Sequence, residues 1–134
     1  MSTLGIRTNK SGVVKVSFFR FSAVAVSFVL FCGSAVAELS IIKDQDTFVN
    51  AVENKVLQRP FIKLRVEKDG RITGKALTMT VSGEWIWKDG YFCRDLSWGS
   101  RDLGYNCQQV ALEVSTIRFT SDQGTGDFAD FTLK

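Results

Sequence analysis

The 134-residue sequence contains no histidine. Histidine is the common base near neutral pH and a frequent zinc ligand, so its absence excludes a Ser-His-Asp triad, a Cys-His pair and a histidine-bound zinc site. An enzyme built on this chain would have to rely on carboxylates, tyrosine or lysine. We therefore expect no metal ion, and we favour a non-catalytic role without excluding catalysis.

A nucleotide-binding fingerprint is also missing. The segment nearest to a phosphate loop, Gly124-Thr125-Gly126 after Asp122, lacks both a Gly-Lys-Ser/Thr ending and a following helix pattern. No Gly-x-Gly spacing begins a βαβ unit. The sequence excludes a nicotinamide-dependent reductase of ordinary design and predicts no cofactor.

The main apolar run is short. Residues 21–31 form a run of 11 residues, whereas a membrane-spanning helix needs about 20. The run follows a basic stretch and precedes Ala35-Val36-Ala37, the small-residue pattern of a cleavage site. We predict that residues 1–37 are a signal peptide and that residues 38–134 form one mature domain, periplasmic or secreted.

Two alternatives concern the same segment. The apolar run would instead act as a membrane anchor if it were not cleaved. Cys32 would be the mature N-terminus if it were lipidated, but the residue before such a cysteine is usually small and Phe31 is large. We expect neither, and so no stable membrane anchor after cleavage.

The positive charge of the chain belongs to the predicted leader. The four basic residues before Ala37 are its only charged residues, and removing them leaves 13 basic against 14 acidic residues, a net charge of −1. Nucleic-acid binding requires a concentrated basic surface. Here both signs alternate along the chain, so we expect no nucleic-acid partner.

Two cysteines remain after Ala37, Cys93 and Cys107. An even count in a small exported domain is typical of a disulfide. Closing a loop of about 15 residues contributes roughly 3 kcal/mol in the chain-entropy model. A metal pair or a reactive thiol would need further ligands or a base.

Hydrophobic periodicity predicts one helix followed by strands. In residues 44–57 the apolar positions recur every three to four residues, with Asp44 or Asp46 as a cap and an end near Arg59-Pro60. From there the period changes to two, and Asp69-Gly70 and Asp89-Gly90 are dipeptides typical of two-residue hairpin turns.

Later segments complete the predicted fold. Residues 95–106 and 121–126 read as loops because glycines interrupt any period. About seven strands joined by short links predict a mainly β domain, an antiparallel up-and-down meander or small barrel. The single N-terminal amphipathic helix would cover one open end or one face.

Two residue sets are candidates for function. The carboxylates Glu84, Asp95 and Asp102 could act as a glycosidase pair, although each has a basic neighbour within seven residues, as on a solvated surface. In the second set an indole on a disulfide-bound loop would suit a sugar, a peptide or a protein, unless the tryptophan folds back over the barrel mouth. This second set, our predicted binding surface, consists of Trp98, Arg101 and Tyr105.

The chain resembles a group of small exported bacterial proteins of unknown role. Members often carry the name dihydrodipicolinate reductase, which the residues contradict, because that enzyme is a cytosolic dehydrogenase with a dinucleotide-binding fold. The resemblance implies export and the β fold and supplies no catalytic residues. It covers nearly all of the predicted mature chain and rests on Gly83-Glu84-Trp85-Ile86-Trp87-Lys88-Asp89-Gly90-Tyr91-Phe92-Cys93-Arg94, Gly104-Tyr105-Asn106-Cys107-Gln108 and residues 117–126, with Arg59-Pro60 and residues 69–74.

Three functions remain open at this stage. The leading hypothesis is a non-catalytic periplasmic or secreted binding module, whose partner would be an envelope protein, a glycan or a small ligand. The second is a small carboxylate-dependent glycan hydrolase. The third is a carrier of a small apolar ligand, although small barrels usually fill their own interior.

The leader and the disulfide together predict the mass of the mature protein. Native mass spectrometry of protein purified from its own envelope should give the mass of residues 38–134 less two hydrogens. Reductant should restore those two hydrogens. A mass that includes the leader, or a lipid on Cys32, would contradict the cleavage after Ala37.

Overall fold

The computed structural model of the protein describes residues 33–134. The predicted signal peptide and Cys32 lie outside the described residues, apart from the last five positions of the leader. Residues 35–134 form one compact unit. Neither helix in the described part of the chain is long and apolar enough to cross a membrane.

Residues 33–134 contain nine strands, eight of which close into an antiparallel barrel. Strands β2 to β9 pair with their neighbours in sequence, and β9 returns to pair with β2. The prediction of a mainly β up-and-down barrel of about seven strands is confirmed. The elements are β1 (Ser40–Ile42), α1 (Gln45–Val52), β2 (Leu57–Arg59), β3 (Ile62–Val66), β4 (Arg71–Ala76), β5 (Met79–Lys88), β6 (Tyr91–Trp98), β7 (Arg101–Glu113), β8 (Thr116–Thr120), α2 (Ser121–Gly124) and β9 (Phe128–Leu133).

The ninth strand, β1, extends the wall beside β7. One edge of β7 pairs with β6 through residues 101–108, and the other pairs with β8 through residues 109–113. Because β1 pairs with residues 110–112, it occupies the β6-side edge where β6 has ended. Thus β7, with 13 residues, pairs with three other strands.

Helix α1 is shorter than the periodicity predicts. Asp44 caps it, its carboxylate accepting a hydrogen bond from the Thr47 backbone N–H at 2.8 Å. The helix ends at Val52, and Asn54 adopts a left-handed backbone (φ 60°), which asparagine tolerates better than most residues. The prediction that the helix reaches Leu57 is wrong, because Leu57 begins β2 and pairs with both β3 and β9.

The side chain of Phe48 anchors α1 in one end of the barrel. It is fully buried, and its ring centroid lies 5.0 to 6.3 Å from those of Trp85, Trp87, Phe92 and Phe119. Trp85 and Trp87 are therefore core residues. The expectation that the helix covers an open end of the barrel agrees with this packing.

Alternate turns of an up-and-down barrel lie at opposite ends. Since α1 leads into the start of β2, it shares its end with the β3–β4, β5–β6 and β7–β8 turns. The turns β2–β3, β4–β5, β6–β7 and β8–β9 lie at the other end, which we call the mouth. Segment α2 is part of the last of these turns.

The two Asp-Gly hairpins differ. Asp89 and Gly90 both have positive φ (53° and 84°) between the paired Lys88 and Tyr91, as a two-residue turn requires. At the first hairpin only Gly70 has positive φ, 98°. There a backbone hydrogen bond from Glu67 to Arg71 encloses a three-residue loop, so the predicted two-residue turn is wrong at this site.

The loop predicted for residues 95–106 is instead a hairpin. β6 continues to Trp98 and β7 begins at Arg101 after a tight turn. Gly99 has positive φ in that turn, and Gly104 has positive φ where the register shifts by one residue. The glycines that suggested a loop serve a turn and a β-bulge. In residues 121–126, the predicted Gly-rich loop contains the short turn α2.

The predicted disulfide is present in the β6–β7 hairpin. Cys93 and Cys107 are directly opposite in the register, with sulfur atoms 2.07 Å apart and Cα atoms 3.9 Å apart. The bond joins two strands that are already paired. It holds the hairpin that carries most of the candidate functional residues.

Removing the Phe48 ring should destabilise the barrel strongly. Replacing a buried phenylalanine by alanine costs roughly 3–5 kcal/mol, and Phe48 packs against four rings. Denaturant unfolding of Phe48→Ala should show this loss, while Phe61→Ala, at a side chain that is 77% exposed, should change stability little. Equal effects of the two changes would contradict the anchoring role of α1.

The pair of Arg118 and Asp130 joins β8 to β9 on the outer face. The guanidinium donates to both carboxylate oxygens, at 2.6 and 2.8 Å, and lies over the Phe128 ring. These hydrogen bonds hold the pKa of the Asp130 carboxyl below its ordinary value. The two residues are cross-strand neighbours, so the pair supports the β8–β9 register.

The lowered pKa of Asp130 predicts acid sensitivity. Because its pKa is lower in the folded state, the contribution to stability is full above the unfolded value of about 3.9 and is lost as the pH falls through the folded pKa. Asp130→Asn should lower the Tm at pH 7, and its gap from wild type should narrow below about pH 4. Asp127→Asn serves as the control for an exposed aspartate. A gap that stays constant with pH would contradict the prediction.

Candidate functional site

A cavity of about 160 Å³ lies inside the barrel. It is open to solvent, and seven of the eight barrel strands contribute to its wall. Phe92 and Phe119 form part of that wall and also contact Phe48, so they separate the anchored helix from the cavity. The lining consists of Leu57, Leu64, Val66, Ile72, Phe92, Arg94, Leu96, Gln108, Phe119, Ala129 and Phe131.

One charged side chain lines this cavity, that of Arg94 in β6. Successive strand residues point to opposite faces, so Arg94 lies on the inner face with Phe92 and Leu96. Phe92 is buried and Leu96 half-buried. The wall around the guanidinium is otherwise almost entirely apolar, with Gln108 supplying one neutral amide.

The Arg94 guanidinium is only partly satisfied. Its Nη1 donates to the backbone oxygen of Gly104 at 2.8 Å, whereas a guanidinium has five N–H donors. Within residues 33–134 the ion pairs are formed by Lys68, Arg71 and Arg118, and none by Arg94. The site thus offers a fixed positive charge and spare donors in apolar surroundings.

Burial is the main electrostatic influence on Arg94. Desolvation lowers the pKa of its guanidinium, and the negative charge of Asp95, the next residue in β6, acts in the opposite direction. Arginine remains protonated in proteins even so. Partial burial of a charge is unfavourable unless it is compensated, so an anion in the cavity would stabilise the Arg94 guanidinium.

Two hydrogen bonds between Asn106 and Asp122 hold segment α2 against β7. Asn106, directly opposite Arg94 in the register, donates from Nδ2 to the Asp122 carboxylate at 2.8 Å and accepts from the Asp122 backbone N–H at 3.0 Å. β8 pairs with β7 only through residues 109–113, which follow Asn106 in the strand. Segment α2 therefore covers the edge of β7 that β8 leaves unpaired.

The predicted binding surface of Trp98, Arg101 and Tyr105 is divided between two faces. Trp98 and Arg101 are opposite each other at the mouth end of the β6–β7 hairpin. Tyr105 is opposite Asp95 on the outer face, with its hydroxyl 3.5 Å from Cys107 Sγ. The bulge between these positions reverses the alternation along β7, which places Tyr105 away from the other two.

The Trp98 side chain is half-buried, so only part of it is accessible to a partner. It lies opposite Val81, a buried core residue, in the register of β5 and β6. Its indole N–H is buried and has no hydrogen-bond partner within residues 33–134. This placement agrees with the alternative in which the tryptophan folds back onto the barrel.

The predicted carboxylates are only partly brought together. Glu84 and Asp95 are direct cross-strand neighbours on the outer face, in one row with Arg71 and Tyr105. They border a groove of about 390 Å³ that is open to solvent. Asp102 lies apart near the mouth, where it accepts a hydrogen bond from the Gly104 backbone N–H.

Arg94 and Gln108 were missed by reasoning from the sequence. The period-two pattern through β6 would have placed Arg94 on the face of Phe92 and Leu96, but treating residues 95–106 as a loop ended the pattern too early. No group of three metal-ligating side chains occurs within residues 33–134. Inside the barrel, the cavity combines the cationic side chain of Arg94 with a largely apolar wall.

The fold is an eight-stranded antiparallel barrel with an internal cavity. Comparisons with models of protein families, with curated proteins and with solved structures find no match to this chain. The function must therefore be inferred from the geometry of the site.

Proposed function

We propose that the protein is a non-catalytic carrier of a small apolar molecule that bears an anionic group. The observation that supports this most directly is Arg94, a cation that forms no ion pair within residues 33–134 and lines an apolar cavity. The apolar wall would take up the body of the ligand and Arg94 its charge. The proposal joins the binding-module and apolar-carrier hypotheses.

The size of the cavity limits the ligand. An apolar cavity of about 150 Å³ in a protein core is large enough to bind benzene, and this one measures about 160 Å³. A single aromatic ring or a short alkyl chain would fill it. A longer tail would have to leave through the opening of the cavity.

The chemistry of guanidinium favours a carboxylate as the anionic group. Its planar fork of donors matches a carboxylate with two parallel hydrogen bonds. Hydrogen bonds to charged groups contribute about 1.5–3 kcal/mol each. A neutral isostere of the ligand would lose this contribution and leave Arg94 without a counter-charge.

The hydrolase hypothesis has weaker support. Glu84 and Asp95 are neighbours, but both are exposed on the outer face, and neither lines the internal cavity. Tuning one carboxyl of a catalytic pair into an acid usually depends on burial. The separation of Asp102 from the other two carboxylates removes the third candidate.

An exported carrier is consistent with the remaining features. The predicted leader directs the chain out of the cytoplasm, and the Cys93–Cys107 disulfide favours an oxidising compartment. Periplasmic or secreted location thus stays part of the proposal. Transport or scavenging of a small organic acid outside the cytoplasm would suit both the site and the location.

Binding of benzoate and of benzyl alcohol tests the role of Arg94. Benzoate carries the charge and benzyl alcohol does not, so calorimetric or NMR titration of the wild type should show tighter binding of benzoate. Arg94→Gln should weaken benzoate binding about 10-fold or more, since at least one charge-assisted hydrogen bond of about 1.5–3 kcal/mol is lost, and should affect benzyl alcohol little. Arg65→Gln, at an exposed arginine on the outer face of β3, is the matched control.

A second variant tests the cavity itself and leaves Arg94 in place. Ala129→Leu narrows the cavity without removing the charge, and should weaken both probes. The proposal is wrong if Arg94→Gln and wild type bind benzoate equally, or if filling the cavity at Ala129 leaves both affinities unchanged. Failure of the wild type to bind either probe would also overturn it.

A further inference from the structure

Two large apolar side chains project from neighbouring turns at the mouth of the barrel. Phe61, in the β2–β3 turn, is 77% exposed, and Leu77, in the β4–β5 turn, is 62% exposed. The Leu77 backbone N–H donates to the Phe61 carbonyl oxygen at 2.7 Å, so the two turns are in contact. Met79, which follows the second turn, is also exposed.

The backbone of both turns is unfavourable for these residues. Phe61 has a φ of 67° and Leu77 a φ of 58°, in the left-handed region that disfavours bulky residues. Asparagine or glycine would adopt the same conformation at lower cost. Neither side chain gains burial in return. Their presence at these positions indicates a role outside the folding of the barrel.

Cationic side chains surround these turns. Arg59, Lys63 and Lys75 line a groove of about 670 Å³ together with Phe61 and Leu77, and no acidic side chain from residues 33–134 lines it. Lys63 and Lys75 are directly opposite each other on β3 and β4, an arrangement in which like charges destabilise the sheet. An anionic partner would relieve this repulsion.

Among residues 33–134, the acidic residues of the mouth lie outside the β2–β3 and β4–β5 turns. Asp102 is the second residue of β7, and Asp122 and Asp127 belong to the β8–β9 connection. Asp130 of β9, whose charge interacts with Arg59, is paired with Arg118. The β2–β3 and β4–β5 turns therefore form a one-sided patch at the mouth. We name this set the rim patch: Phe61, Leu77, Met79, Arg59, Lys63 and Lys75.

We propose that the rim patch docks the protein on the surface of an anionic lipid bilayer. Apolar side chains at the tips of turns can enter the boundary between headgroups and acyl chains, while lysine and arginine behind them remain at the level of the phosphates. Each such cation near an anionic leaflet adds to the attraction. The arrangement of apolar tips and adjacent cations matches this order of layers.

The proposal goes beyond ligand binding and does not depend on it. Arg94 lies inside the barrel and is not part of the rim patch. Arg94→Gln should therefore lose benzoate binding and keep membrane binding. If both proposals hold, the mouth of the carrier faces the lipid.

Flotation with lipid vesicles tests the docking. The wild-type protein should bind vesicles of equal parts phosphatidylglycerol and phosphatidylcholine, should not bind pure phosphatidylcholine, and should be released by salt, which screens charges. The double variant Phe61→Asn/Leu77→Asn should reduce binding at least tenfold. Its thermal stability should be equal to or above wild type, because asparagine suits the left-handed backbone.

Further variants test whether membrane binding depends on the lysines of the rim patch and on the position of the patch. Lys63→Glu/Lys75→Glu should abolish binding to the anionic vesicles. Ile86→Asn, at an exposed apolar residue of β5 outside the rim patch, and Lys88→Glu should leave it unchanged. A loss of stability in the asparagine double variant would contradict the argument from backbone strain.

Other results would overturn the docking proposal. Equal binding to both vesicle types, no binding to either, or equal loss in the control variants would each do so. If sedimentation instead shows a dimer in the absence of lipid that Phe61→Asn dissociates, the rim patch is an interface between copies of the chain and the lipid proposal is wrong.

Discussion

The packing of Phe48 among four aromatic rings determines how the interior of this barrel is divided. The ring anchors α1 in one end and fills that half of the interior together with Trp85, Trp87, Phe92 and Phe119. Small closed barrels have room for their own side chains or for one small ligand. Because the helix and its aromatic partners occupy one part, the remaining space is a separate cavity on the far side of Phe92 and Phe119, and Arg94 points into it.

The β6–β7 hairpin carries two faces with different chemistry. Its inner face contributes Arg94 and Gln108 to the cavity, and its outer face holds the disulfide with Asp95 and Tyr105. The bulge at Leu103 changes which side chains share a face. The disulfide joins β6 to β7, β1 pairs with β7, and Asn106 of β7 is hydrogen-bonded to Asp122. Arg94 and Gln108 lie on these same two strands, β6 and β7.

The sequence predicts most of the local structure but not the location of the site. Alternation of apolar residues identifies β3, and the Asp-Gly dipeptide identifies the Asp89-Gly90 turn, because each depends on neighbours in the chain. The extent of β6 and β7 depends on pairing between strands, which is a tertiary effect, and the glycines in residues 95–106 conceal it. Arg94 could only be identified once that pairing was known. Trp98 was predicted to be a binding residue because it was predicted to lie in a loop. It lies in β6 instead, and this strand position accounts for its burial.

The pairing of β2 with β9 has a consequence for the order in which the molecule forms. Every other pairing between barrel strands joins strands that are consecutive in the chain, whereas β2 and β9 are the first and last strands of the barrel. Contacts between distant segments form slowly, because closing a long loop costs entropy. Until the six residues of β9 have paired, β2 and β8 have open edges, and open edges can pair with strands of other chains. Pairing of β9 with both β2 and β8 is therefore what covers the open edges of these two strands.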